Sequence, residues 1–179
     1  MQSQDEAPQG TAPKDKARQA TGLQDEALPS SATAQIPVPD SQTVAAYEST
    51  NYFALEADPV LLRIGDPPGS HLAWLEMVGA RSATILTAWN PLGQEKSRAE
   101  NDKAQERLLA SISARELRWL PASGEDPAGN WQPEPGYCVF DVPDPVLDEW
   151  LVTFRQNAAV QATRVDPCRL VWHPALRGR

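Results

Sequence analysis

Asn90 and Asn101 bracket the turn within the stretch "TAWNPLGQEKSRAEN". A carboxamide offers one accepting oxygen and two donated hydrogens, so such a pair can tie down a loop or recognise a polar guest. Thr87 adds a hydroxyl just upstream. Asp126, Trp131 and Glu134 follow in "GEDPAGNWQPEPGY", and Gln156 and Asn157 in "FRQNAAV". Amides, one or two carboxylates and an indole make a set suited to hydrogen-bonded recognition of a small polar ligand or a peptide end. Thr87, Asn90, Asn101, Asp126, Trp131, Glu134, Gln156 and Asn157 are therefore the expected ligand-binding residues. Each also has a plain structural reading. Asn90 can close its own turn, Asn101 can clasp the loop, and Asp126 and Glu134 can be solvated or capping. Trp131 can anchor a core, and Gln156-Asn157 can stop a helix with Asn157 in the left-handed position.

Other chemistries find less support. The chain has no phosphate loop and no Gly-rich dinucleotide fingerprint. Its two histidines, His71 and His173, lie outside these motifs, so neither a His-based nucleophile nor a zinc site is expected, and no cofactor is implied. Cys138 falls within the apolar run "GYCVFDV" and reads as core. An enzyme of hydrolase or transferase type would have to use Glu134 or Asp126 as its acid–base group. A third reading is a protein-interaction module of antitoxin or immunity type, for which a flat exposed strand edge at "CRLVW" would speak.

The formal net charge of -8 argues against nucleic acid or an anionic membrane as the main partner. No apolar stretch reaches the ~18 residues of a membrane span. The first residues lack the apolar core of a signal peptide, so a reduced, cytoplasmic setting is expected for Cys138 and Cys168.

These candidates must be positioned by a folded segment, and composition marks where it begins. Residues 1–42 contain few large apolar side chains (Leu23, Leu28, Ile36 and Val38). Such a segment cannot bury enough surface to offset its conformational entropy and is expected to be a disordered tail. Residues 43–174 then form one domain, with 175–179 a short C-terminal tail. "TVAAYEST" fits a short helix, and "NYFALEADPVLLRIG" two strands turning at Ala57-Asp58-Pro59. "SHLAWLEMVGA" reads as a helix capped by Ser70, burying Leu72, Leu75 and Met77 or Val78 and stopping at Gly79. "SATILTAWN" has the apolar character of an interior strand, and Pro91 biases Asn90 towards an extended backbone.

Ser97 opens the clearest helix, because "SRAE" is a capping box. At 100° per residue Asn101 aligns with Ala104, Leu108 and Ile112, so it should point inward. "LRWLPASG" and "YCVFDV" are strands around a long irregular segment at 124–137. "DPVLDEWLVTF" is a helix begun at Asp144-Pro145 that buries Leu147, Trp150, Leu151 and Phe154. "NAAVQATRV" and "CRLVWH" are closing strands. The expected fold is an α+β two-layer sandwich, with helices on one face of a largely antiparallel sheet and a ferredoxin-like core with an N-terminal elaboration.

The order "ILTAWNP", a helix opening with Ser and "EN", "DPAGNWQPEPG", "FRQNAAV" and a closing "LVW" resembles the bacterial domain of unknown function 3293, over roughly residues 44 to 173. The resemblance implies a small bacterial family without an assigned activity, and a small residue at the position where Arg155 stands. The leading expectation is a non-catalytic binding or regulatory domain whose partner is a small polar ligand or a protein.

Overall fold

A computed structural model describes residues 36–178. The expected disorder of the N-terminal tail falls on residues 1–35, outside the described residues. Residues 36–40 carry no regular structure, and Asp40 caps α1 (Ser41–Ser49) by accepting the Thr43 amide. The remaining elements are β1 (Asn51–Ala54), β2 (Val60–Leu62), α2 (Leu72–Met77), β3 (Ser82–Leu86), α3 (Arg98–Ser113), β4 (Trp119–Glu125), β5 (Glu134–Phe140), α4 (Asp144–Thr153), β6 (Ala158–Thr163) and β7 (Arg169–Trp172).

The strands form one antiparallel sheet in the order β2-β1-β4-β5-β3-β6-β7. It curls strongly. Gly65, just past β2, donates to the Cys168 carbonyl, and Cys168 donates back to Asp66, so the two outer strands are linked at one end.

Interior β3 is buried on both sides, as its largely apolar character suggests. Ala83 and Ile85 pack with Cys138, Phe140, Val160 and Ala162 on one face, where Trp74 and Leu75 of α2 join them. Leu86, Val139 and Ala159 pack on the other with Leu108 and Ile112 of α3 and Leu147, Trp150 and Leu151 of α4. The helices are thus not confined to one face, which departs from the two-layer expectation: α3 and α4 cover the outer face, and α2 closes the inner one.

Helix termini follow the sequence closely in α3. Ser97 accepts the Glu100 amide, and the Glu100 side chain takes the Ser97 amide. In α2 the reading needs correction. His71, not Ser70, stands at the cap without a side-chain bond; Leu75 is buried and Val78 packs on the core as read, but Met77 is 73% exposed and Trp74 takes the buried side. A helix of six residues has room for one buried face, and the larger indole occupies it.

The C-terminus of α4 also differs. Arg155, not Asn157, is left-handed (φ 51°), and the Gln156 amide reaches back to the Leu151 carbonyl. This is a Schellman closure with arginine where a residue free of steric penalty would be favoured, which gives a physical sense to the small residue expected there. Past β7, residues 174–177 are held rather than loose, because the Arg177 guanidinium meets both oxygens of Asp148.

Candidate functional site

The chain leaves β3 through Thr87, Ala88, Trp89 and Asn90, and side chains from distant elements hold each of these residues. The Ala88 amide donates to Gln105 Oε1 at 2.9 Å, and the Asn90 amide donates to Asn101 Oδ1 at 2.9 Å. Gln156 Nε2 donates to the Trp89 carbonyl at 3.0 Å. Thr87 Oγ1 accepts the Trp89 amide and donates to the Pro135 carbonyl, which fastens the same segment to β5.

Asn90 and Asn101 do meet across the turn. Asn101 Nδ2 donates to Asn90 Oδ1 at 3.0 Å and to the Lys96 carbonyl at 3.4 Å, and Asn90 Oδ1 also accepts the Lys96 amide. Asn101 is 3% exposed, and its oxygen and both hydrogens are used within the protein. It clasps the loop.

Asn90 departs from the extended backbone expected before proline: it is left-handed, at φ 45° and ψ 60°. Asparagine enters this region more readily than other side-chain-bearing residues, and the bonds just described hold it there. Leu92 (φ 55°) is left-handed as well, and its amide donates to the carbonyl of left-handed Arg155. Three of the described non-glycine residues with positive φ therefore lie in one hydrogen-bonded neighbourhood. Each such residue costs about 1–2 kcal/mol, so the neighbourhood is strained.

What this frame presents is Asn90 Nδ2, which donates to Glu134 Oε1 at 2.6 Å. Glu134 is the first residue of β5, paired with Gly124, and not part of a loop; the irregular segment shrinks to 126–133 because both strands extend into it. The carboxylate is half-buried, and burial raises its pKa while the bond from Asn90 works against that rise. Among the described residues no cation lies within 4 Å of it.

Tyr47 of α1 is close enough to feel the charge of this carboxylate. Burial raises the pKa of its phenol, the bond from Asn157 Nδ2 (3.3 Å) lowers it, and the nearby charge of Glu134 adds to the rise. Asn157 is 4% exposed, and its Oδ1 is buried without a partner. Gln105 Nε2 and Trp89 Nε1 are likewise buried without partners.

Thr87, Asn90, Asn101, Glu134 and Gln156 thus converge on one segment, and Asn157 is linked to Glu134's surroundings through Tyr47. Asp126 and Trp131 do not join them. Asp126 accepts the amides of Ala128 and Asn130, which lower its pKa and commit it to its own turn. Trp131 is half-buried in that turn and makes no side-chain hydrogen bond with a described residue. Gln105 and Tyr47 were missed. Gln105 lies one helical turn beyond Asn101, so the spacing that turns Asn101 inward would have found it. Tyr47 carries no local signal.

Cys138 and Cys168 are free and buried, and burial pushes both thiols up to about 12. Among the described residues no three His, Cys, Asp or Glu side chains cluster as metal ligands, and no helix is long and apolar enough to cross a membrane.

A curled antiparallel α+β domain with an amide-framed carboxylate at the start of its central strand, β5, is the class these features define. Residues 86–159, from the last residue of β3 to the second of β6, match the model of a family described as "Protein of unknown function (DUF3293)", so the resemblance read from the motifs is shown over that span. No curated protein and no solved structure matches the chain.

Proposed function

We propose that this is a non-catalytic binding domain that recognises a small polar ligand or a peptide end at Glu134, with Asn90 as positioning residue and the surrounding amides as frame. The observation that carries the reading is Glu134 itself. A half-buried carboxylate with a single bond from Asn90 and no cation nearby is costly to keep, and a ligand N–H or ammonium would meet that need. The strained backbone at Asn90 and Leu92 supports it, since such strain persists where the structure around it has a use for the geometry.

The experiment is a thermal-shift screen of the full chain against primary amines, amino-acid amides and short peptides, with Glu134→Gln in parallel. Ligands that bind only the folded state raise its melting temperature, and that rise should vanish in Glu134→Gln. A rise of equal size in the variant would remove Glu134 from the site.

The same burial favours a second reading, an enzyme using Glu134 as acid–base group, because a carboxyl group whose pKa is raised holds and returns a proton more readily than an ordinary one. Turnover of a bound amide or ester, lost in Glu134→Gln while binding remains, separates the two. An interaction module draws less support. The outer edge of β7 is blunted, since Cys168 is paired with Gly65 and Asp66 and the Trp172 carbonyl accepts Arg177 Nε.

We read the core as ferredoxin-like, and the strand order β6-β3-β5-β4 with α3 and α4 as crossovers supports that, leaving α1, β1, β2 and α2 as the N-terminal elaboration and β7 as an added edge strand. Two buried free thiols are compatible with the reducing cytoplasm.

A further inference from the structure

A second region carries charged side chains of both signs around a cavity. Asp144 and Asp148 fall one turn apart on α4, with Leu147 between them on the same side. Gln161 of β6 and Arg169 of β7 are register partners, so their side chains share the face that α4 covers. Between helix and strands lies a cavity of about 290 Å³, to which all five residues contribute, with Val171 as further apolar wall. Arg177 closes one end by its paired bonds to Asp148.

Three groups there keep hydrogen-bonding capacity that the described residues do not use. Gln161 is 5% exposed; its Oε1 accepts from Arg169 Nη2 at 3.1 Å, while its Nε2 donates to no described residue. Arg169 uses only that one of its five N–H donors in a side-chain bond, and no carboxylate of the described residues lies within 4 Å of it. Asp144 meets no cation within the same distance. A simple anion would suit Arg169 and Gln161 but would face Asp144 and Asp148. A simple cation would face the two arginines. A molecule bearing both charges satisfies each wall.

We propose that this cavity binds a small amino-acid zwitterion, its carboxylate on the Arg169 guanidinium and Gln161 Nε2 and its ammonium on Asp144. The apolar stem of the ligand rests on Leu147 and Val171. Glu134 does not line this cavity, although Trp172, which does, packs edge-on against Tyr47.

The test is a nitrogen–proton NMR titration of the full chain with L-alanine, β-alanine and 4-aminobutyrate, which differ in charge separation, and with acetate and methylammonium as single-charge halves. Saturable shifts of the Leu170, Val171 and Trp172 amides are expected for at least one zwitterion, with either half about tenfold weaker or more. Arg169→Gln and Asp144→Asn should each abolish them. Both residues are exposed, so the variants should fold, which their dispersed spectra will confirm. Glu134→Gln should leave the shifts intact. Three results would overturn the proposal: no saturable shift with any zwitterion, acetate binding as well as the zwitterions, or binding that survives Arg169→Gln.

Discussion

The connection from β3 to α3 and the turn from β4 to β5 are both polar, irregular and proline-bearing, yet they are held in opposite ways. The first is gripped from outside. Gln105 and Asn101 come from α3, Gln156 from beyond α4 and Glu134 from β5. The second grips itself, with Asp126 accepting two amides a few residues further on. In the first case side-chain amides replace ladder partners for a buried backbone that has left its strand. In the second the backbone lies at the surface, and a local Asx-type turn suffices. Polar residues of similar type thus have different energetic weight according to whether their partners are near or far in sequence.

That contrast can be broken by mutation, with the largest effect expected at Asn101. Asn101→Ala strips the Asn90 amide and side chain of their partner in a buried setting, and should lower unfolding free energy by roughly 2–3 kcal/mol. Urea denaturation measures it, and a loss below the error of the fit would mean the clasp is ornamental. An intermediate effect is expected at Glu134, and it depends on pH. Burial raises the folded-state pKa above the ordinary 4.5, so the unfolded chain releases this proton first as pH rises. From about pH 4.5 up to the raised value the folded state binds more protons, and stability falls with rising pH. Glu134→Gln removes this contribution, so its urea midpoint should gain on the parent's through that window and then run parallel. Parallel curves throughout would show that the carboxylate titrates normally. The smallest effect belongs to Asp126→Ala. Its turn lies outside the gripped segment, so the urea midpoint should stay within error of the parent's, and a clear fall would show that the turn braces the sheet after all.

Much of this arrangement could be read in advance where periodicity speaks. The inward aim of Asn101 follows from its spacing to Leu108 and Ile112, and the burial of Cys138, Trp150 and Leu151 from alternation and helical phase. The strand boundaries around Glu134 were hidden, since Pro133, Pro135 and Gly136 all argue against a strand. Gly136 sits in one because a Cβ there would come within 2.7 Å of the Leu86 carbonyl oxygen, so its bareness lets β3 and β5 approach. The left-handed backbone at Asn90 was hidden too, because it is held by bonds to other elements, and that at Arg155 because a helix closure of this kind ordinarily falls on glycine or asparagine. So was the side of the sheet that α2 covers: a six-residue helix has an apolar face in its sequence, but only the curl of the strands decides where that face is used.

The borrowed partners of Ala88 and Asn90 also change how this protein would report its own opening. Amide hydrogens normally resist exchange with solvent because a ladder or a helix holds them, and they are released when that element unravels. At these two positions the hydrogen is held by the side chain of another element, α3. Its release therefore follows the undocking of that helix from the strand end, even while β3 itself stays paired on both sides. Two neighbouring sets of amides, those of Ala83–Leu86 and those of Ala88 and Asn90, become separate clocks for two different motions of the same domain.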